Sequence, residues 1–297
     1  MQYKLGLDIG SISTDLVLLD STNKIIESRY VRSYGRPLET TLEQLEAIYK
    51  EYGAPAKTAI TGNGAQKASK VLDIPLINEI VAQTRAVAHL YPEARTLIEI
   101  GGEDSKLVRL EHEHGSKPKV VDFNTNSICA AGTGSFLDQQ ATRLKVDIEE
   151  FSQLALKSKN PPRVAGRCSV FAKTDMIHLQ QQGTPDHDII AGLCFAMARN
   201  FKSNLGKGKE LDRPVAFQGG VAQNDGMIRA FTEVLDLDDE ELLIPENPGC
   251  TGALGAILEA TDQEAACPIE DLTTRRPYTK TRKGRCRTTH PAEGRWI

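Results

Sequence analysis

No stretch of the 297-residue chain reaches the ~18 apolar residues that a membrane span requires. The opening MQYKLGLDIG has no long apolar run either, so it reads as neither a signal peptide nor a span. A soluble, cytoplasmic protein is the expectation. A large excess of charge of one sign is also missing. The net charge is −4, which gives no reason to expect nucleic acid or an anionic membrane as partner. None of the six cysteines forms a CxxC pair, which argues against a self-contained zinc knuckle. Six thiols in a cytosolic chain of this length do not read as a disulfide framework. Finally, GxxxxGK[ST] and GxGxxG are both absent, so neither a Walker A loop nor a Rossmann turn is present.

What is there is sufficient for one bilobal unit or two modest domains, with 40% hydrophobic residues to build a core. YKLGLDIG, DLVLLD and IIESRYVRSY read as three successive strands. Leu38, Leu42, Leu45 and Ile48 then recur at helical spacing, with Gly53 as a stop. KTAITG reads as a short buried strand, and IVAQTRAVAHLY as a helix ended by Pro92. The pattern restarts with TLIEIGGEDSKLVRL and PKVVDFNTN, again three strands. Helices follow, among them DHDIIAGLCFAMARNFKSNLG, then a strand and Gly-Gly turn in AFQGGVAQND, a strand in ELLIP, and a small-residue helix in TGALGAILEA. From Gln263 the chain is basic, turn-rich and nearly without aliphatics, and a poorly ordered tail over 263–297 is expected.

Two segments share one form: strand, acid, glycine turn, strand. They are LDIGSISTDLVLL and IEIGGEDSKLVRL. A glycine turn lets backbone N–H groups approach a phosphate closely. Ser11 and Ser13 can donate hydroxyls, and Asp8, Glu99 and Asp104 can hold Mg²⁺ through its retained waters. Gly219 and Gly220 lie between a strand and a helix, where a turn can take the base and ribose of a nucleotide. Any one Gly-Gly turn is more often only a turn. The ordered set is the signal.

Cys129 and Cys168 each precede a helix, in NSICAAGTGSFLD and VAGRCSVFAKTD, among small and polar residues. The free first-turn amides of a helix favour thiolate and any bound anion, an iron–sulfur cluster included. Two cysteines do not complete a four-cysteine cluster, but a two-fold homodimer doubles them to four. A buried-thiol reading of both is the bland alternative. Cys194 lies mid-helix and reads as core, and His178 and His187 read as surface residues.

In their order, the glycine segments resemble the five nucleotide-binding segments shared by actin, Hsp70, sugar kinases and acetate kinase. That resemblance implies an α/β fold of duplicated ribonuclease-H-type lobes with nucleotide in the cleft between them. CAAGTGSFLD and RCSVFAKTD inside that frame resemble the activators of 2-hydroxyacyl-CoA dehydratases and the ATPase subunits of benzoyl-CoA reductase, the BadF/BadG/BcrA/BcrD type. The resemblance covers about residues 3 to 260. It implies a first lobe over 1–90 and 252–262 and a second over 91–251 that carries the cysteines. It implies ATP or ADP with Mg²⁺, held by Gly10, Ser11, Ser13, Gly101, Gly102, Gly219, Gly220 and Asn224, with Asp8, Glu103 and Asp104 as the catalytic residues. It implies one [4Fe–4S] cluster per homodimer on Cys129 and Cys168, a reduced ferredoxin or flavodoxin as electron donor, and a dehydratase or reductase as acceptor. Relatives often carry Thr and Lys where this chain has Ile12 and Asp15, and Gln where it has Glu103. Two rivals stand beside this reading. One is a small-molecule kinase of the same fold, with Asp122 or Asp104 as base. The other is an ATP-dependent sensor or assembly protein.

Overall fold

The first three strands form where the sequence reading places them: Lys4–Ile9 (β1), Ser13–Leu19 (β2) and Ile25–Arg32 (β3). β1 pairs antiparallel with β2, and β2 antiparallel with β3. Lys57–Thr61 (β4) adds parallel to β1, giving the order β3-β2-β1-β4. β2 is buried along its whole length because the sheet is covered on both faces. The helix Pro37–Tyr52 (α1) starts on proline, ends on Gly53, and buries Leu45 and Ile48 against Leu5, Leu7 and Leu16. A short helix, Ala65–Leu72 (α2), was not legible in the sequence. It packs only Ala65, Ala68 and Leu72 inward, too few for a periodic signal.

The computed structural model describes residues 2–111, 118–126, 130–166, 168–207, 211–238 and 240–262. The expected tail over 263–297 and Cys129 therefore lie outside the described residues. The second sheet repeats the first. Thr96–Ile100 (β5), Ser105–Glu111 (β6) and Lys119–Asn126 (β7) are antiparallel neighbours, and Val215–Gln218 (β8) runs parallel beside β5. A fifth strand, Leu242–Leu243 (β9), closes the order β7-β6-β5-β8-β9. ELLIP thus yields only two strand residues.

Two helices stand between the sheets. Glu79–Leu90 (α3) is capped by Asn78, whose side chain accepts from the Ile80 and Val81 amides at 3.0 and 3.3 Å. Thr251–Asp262 (α9) packs on β1 and β4, while α3 packs on both α9 and β5. Glycines let α9 sit this close: a Cβ on Gly255 would overlap the Ala82 carbonyl of α3. The remaining helices cover the second sheet: Gly134–Leu144 (α4), Ile148–Lys157 (α5), Ser169–Gln181 (α6), Asp186–Asn204 (α7) and Asp225–Leu235 (α8). α7 is buried over most of its length, Cys194 included, and shares a core with Phe136, Phe151, Phe217 and Phe231. No described helix is long and apolar enough to cross a membrane.

Candidate functional site: the cleft between the two hairpins

Both glycine hairpins close in the same way. The Gly10 N–H donates to the Ser13 carbonyl at 2.9 Å, and the Gly101 N–H to the Asp104 carbonyl at 3.0 Å. Each turn spans four residues between paired strand ends, Ile9 with Thr14 and Ile100 with Ser105. The turns approach each other across the cleft, where a Cβ on Gly102 would overlap the Ile12 side chain. Ile12 lines two neighbouring pockets. One is polar and lined by Asp8, Gly10, Ser11, Ser13, Asp15, Tyr30, Glu99, Asp104, Gly219 and Gly220. The other is lined by Tyr30, Arg32, Gly134, Asp138, Gly220 and Asn224. Each has about 50 Å³ of free space.

The charges in the cleft are unequal. In the second hairpin, buried Lys106 donates to Glu99 and Asp104 at 2.8 Å and to Glu79 of α3 at 2.9 Å. Burial opposes its charge, but Glu99 with Glu79 and Asp104 raises it above the ordinary lysine value. Burial pushes Glu99 up to about 7, against the pull of Lys106. In the first hairpin, Asp8 is pushed up to about 8 by burial, then by Glu79 and Glu99. Asp15 is raised well above the usual range by burial, then by Asp8. Its Oδ2 accepts from the Ser13 hydroxyl at 3.1 Å, and its Oδ1 is buried with no hydrogen-bond partner.

The second hairpin is also tied to the segment that follows Cys129. The Gly134 and Ser135 N–H groups, at the start of α4, donate to the Gly101 and Gly102 carbonyls, both at 2.8 Å. Further along α4, Asp138 forms a two-bond ion pair with Arg32 of β3, at 2.9 and 3.0 Å, joining the first sheet to the helix at the mouth of the cleft. Away from the cleft, Cys168 is the extended N-cap of α6 and makes no side-chain cap bond. It is half-buried beside a cavity of about 540 Å³ shared with Val164, Phe171 and Arg199. Val170 and Phe171, in the first turn of α6, are exposed.

Residues 5–260 match the model of the BadF/BadG/BcrA/BcrD ATPase family. The chain belongs to this family. It is 34% identical over 265 residues to the 2-hydroxyisocaproyl-CoA dehydratase activator of Clostridioides difficile, covering 88% of this chain and 96% of that protein. The solved structure of the Clostridium difficile 2-hydroxyisocaproyl-CoA dehydratase activator with bound ADPNP superposes with a TM-score of 0.76 at 32% identity, covering 88% of this chain and 95% of that one. Component A of the (R)-2-hydroxyglutaryl-CoA dehydratase of Acidaminococcus fermentans also gives 0.76, at 29% identity, covering 89% and 100%. The duplicated α/β lobes thus carry the ATPase fold expected from the glycine segments.

Within this BadF/BadG/BcrA/BcrD member, Asp8, Gly10, Ser11, Ser13, Gly101, Gly102, Asp104, Gly219 and Gly220 line one polar pocket, and Asn224 lines its neighbour. Asn224 caps α8, accepting from the Met227 amide at 3.0 Å. Glu103 is exposed and lines neither pocket, and Asp122 on β7 lines neither. Asp104, the other candidate base, is bonded to Lys106. Cys194 is fully buried and its thiol is pushed up to about 12 by burial, as a core residue should be. His178 is exposed and bonded to Gln182, and His187 lies 3.6 Å from Asp188. Sequence reasoning passed over Lys106, Glu79 and Tyr30. Lys106 could have been found, because it stands in the second hairpin where Asp15 stands in the first. Glu79 and Tyr30 enter only through packing.

Proposed function

We propose that this chain is an ATP-dependent one-electron donor that activates a partner 2-hydroxyacyl-CoA dehydratase or aryl-CoA reductase. The dehydratase activators among its relatives support the class of partner. The observation that carries the reading is the pair of hydrogen bonds from the start of α4 to the Gly101–Gly102 turn. A phosphate that moves this turn also moves the segment leading back to Cys129.

The proposed frame has a first lobe over 1–90 with 252–262 and a second over 91–251. ATP with Mg²⁺ would lie on Gly10, Ser11, Ser13, Gly101, Gly102, Gly219, Gly220 and Asn224, with Asp8, Glu103 and Asp104 as the catalytic residues, of which Asp8 and Asp104 line the polar pocket. Cys129 and Cys168 of two copies would hold one [4Fe–4S] cluster, which supplies a one-electron carrier when bound. The fit of Cys168 is favourable. It is the N-cap of α6 and makes no side-chain cap bond, at a helix end whose first-turn amides favour a bound anion. Cys194 and Cys250 are buried thiols raised by burial and make poor ligands. A reduced ferredoxin or flavodoxin is the proposed donor. The work of this chain's residues is mechanical. Nucleotide parts Ile12 from Gly102, strains the Arg32–Asp138 pair, and re-aims α4.

The test is an anaerobic visible spectrum with iron and sulfide counted per dimer. Wild type and Cys194→Ala should be brown and dimeric, and Cys168→Ala should be colourless yet folded. Iron-free wild type, or iron retained by Cys168→Ala, would overturn the reading. The midpoint potential should also differ between ADP and a non-hydrolysable ATP analogue.

A further inference from the structure

The first hairpin holds two buried acids where the second holds an acid and a lysine. Asp8 lies directly opposite Asp15 in the β1–β2 ladder, and Glu99 directly opposite Lys106 in the β5–β6 ladder. Directly opposite residues point to the same face with Cβ atoms about 4.5–5.5 Å apart. The two pairs occupy equivalent places in two copies of one backbone unit. In the second copy the positive charge is built in: Lys106 Nζ touches three carboxylates. The trio Glu79, Glu99 and Asp104 is thereby already filled.

In the first copy no such charge is supplied. Among the described residues neither Asp8 nor Asp15 has an ion-pair partner within 4.0 Å. Both are at least nine-tenths buried, at 8% and 5% exposure. Asp15 Oδ1 has no hydrogen-bond partner, and the residue lines the polar pocket of the cleft. The Ser13 hydroxyl lies beside it, 3.1 Å from Oδ2. Two facing buried carboxylates repel, and burial of an unpaired charge is costly. Carboxylate and hydroxyl oxygens are hard donors, suited to Mg²⁺ or Mn²⁺ rather than to zinc or copper.

We infer that Asp8 and Asp15 together bind a divalent cation of the Mg²⁺/Mn²⁺ class, before any nucleotide arrives, in the place where the second hairpin carries Lys106. The ion neutralises the pair and presents a positive charge to the cleft. The site depends on neither the cysteines nor a second copy of the chain, so its failure and that of the electron-donor reading are separable.

The probe is Mn²⁺ alone. Purified, nucleotide-free protein is titrated with Mn²⁺, and the free ion is followed by its paramagnetic resonance signal. Wild type and the surface control Glu43→Gln should bind one Mn²⁺ per chain. Asp15→Asn should bind at least tenfold more weakly. Asp15→Lys recreates the pairing of the second hairpin. It should bind no Mn²⁺, and its melting temperature should not respond to the ion, whereas that of wild type should rise. Wild type that binds no Mn²⁺ without nucleotide would overturn the site, whether or not either variant folds. So would Asp15→Asn with wild-type affinity. A protonated-carboxyl infrared band that persists in Mn²⁺-saturated wild type and vanishes in Asp15→Asn would also overturn it, because a shared proton would then do the ion's work.

Discussion

The hairpin β1–β2 and the hairpin β5–β6 have the same backbone and opposite electrostatics. Each places an acid at the end of its first strand, a glycine at the head of a four-residue turn, and a closing bond from that glycine. The residue opposite the acid differs: Asp15 in the first, Lys106 in the second. One difference in side chain separates a saturated ion network from a pair of facing carboxyls without a cationic partner among the described residues. Turn geometry follows from glycine and strand pairing, which do not depend on charge. The charge pattern is therefore free to diverge between two copies of a fold unit. In this molecule the second hairpin is stapled to α3 by Lys106 and to α4 by backbone bonds. The first is tied to Ser33 and Gly64, whose N–H groups donate to the Ile12 and Ile9 carbonyls at 2.8 Å, and among the described residues has no buried cation of its own.

The most forceful way to break this contrast is Lys106→Met. It leaves Glu79, Glu99 and Asp104 facing each other without a cation, and loss of one partner of a buried ion pair costs about 3–5 kcal/mol. Denaturant unfolding should show that loss, and it should shrink when Glu99→Gln is added.

A gentler probe is pH. Asp8 rises from 3.8 in the unfolded chain to about 8 when folded, and Glu99 from 4.5 to about 7. Between those values the folded state holds protons that the unfolded state has released. Stability should therefore fall as pH rises from 4 toward 8 in EDTA, by up to ~1.4 kcal/mol per pH unit for each group, with Asp15, also raised by burial, adding to the fall. Asp8→Asn should flatten its part of that slope. An unchanged slope would mean that Asp8 does not titrate as the burial of the first hairpin demands.

The smallest effect is expected at the mouth of the cleft. Arg32 and Asp138 are 35% and 29% exposed, so solvent screens their pair. A double-mutant cycle with Arg32→Ala and Asp138→Ala should give a coupling of ~1 kcal/mol or less. The same variants should open the cleft more readily and bind an ATP analogue faster. A coupling well above that figure would show the lobes locked rather than latched.

The sequence by itself determined the strands, the paired glycine turns and the long helices, because short apolar runs, helical spacing and glycine are local signals. It also determined that α9 packs closely, since TGALGAILEA offers little side chain to hold a neighbour away. Tertiary structure alone decided the rest. Glu79 meets Lys106 from 27 positions away because α3 crosses between the sheets. Arg32 meets Asp138 from 106 positions away because the lobes close. Asp8 was legible as a candidate Mg²⁺ holder and Asp15 as a departure from its relatives, but only the register set the two, seven apart in sequence, face to face in a buried place. Pairing and burial, rather than residue type, fix what a carboxyl group does, and both are properties of the folded chain as a whole.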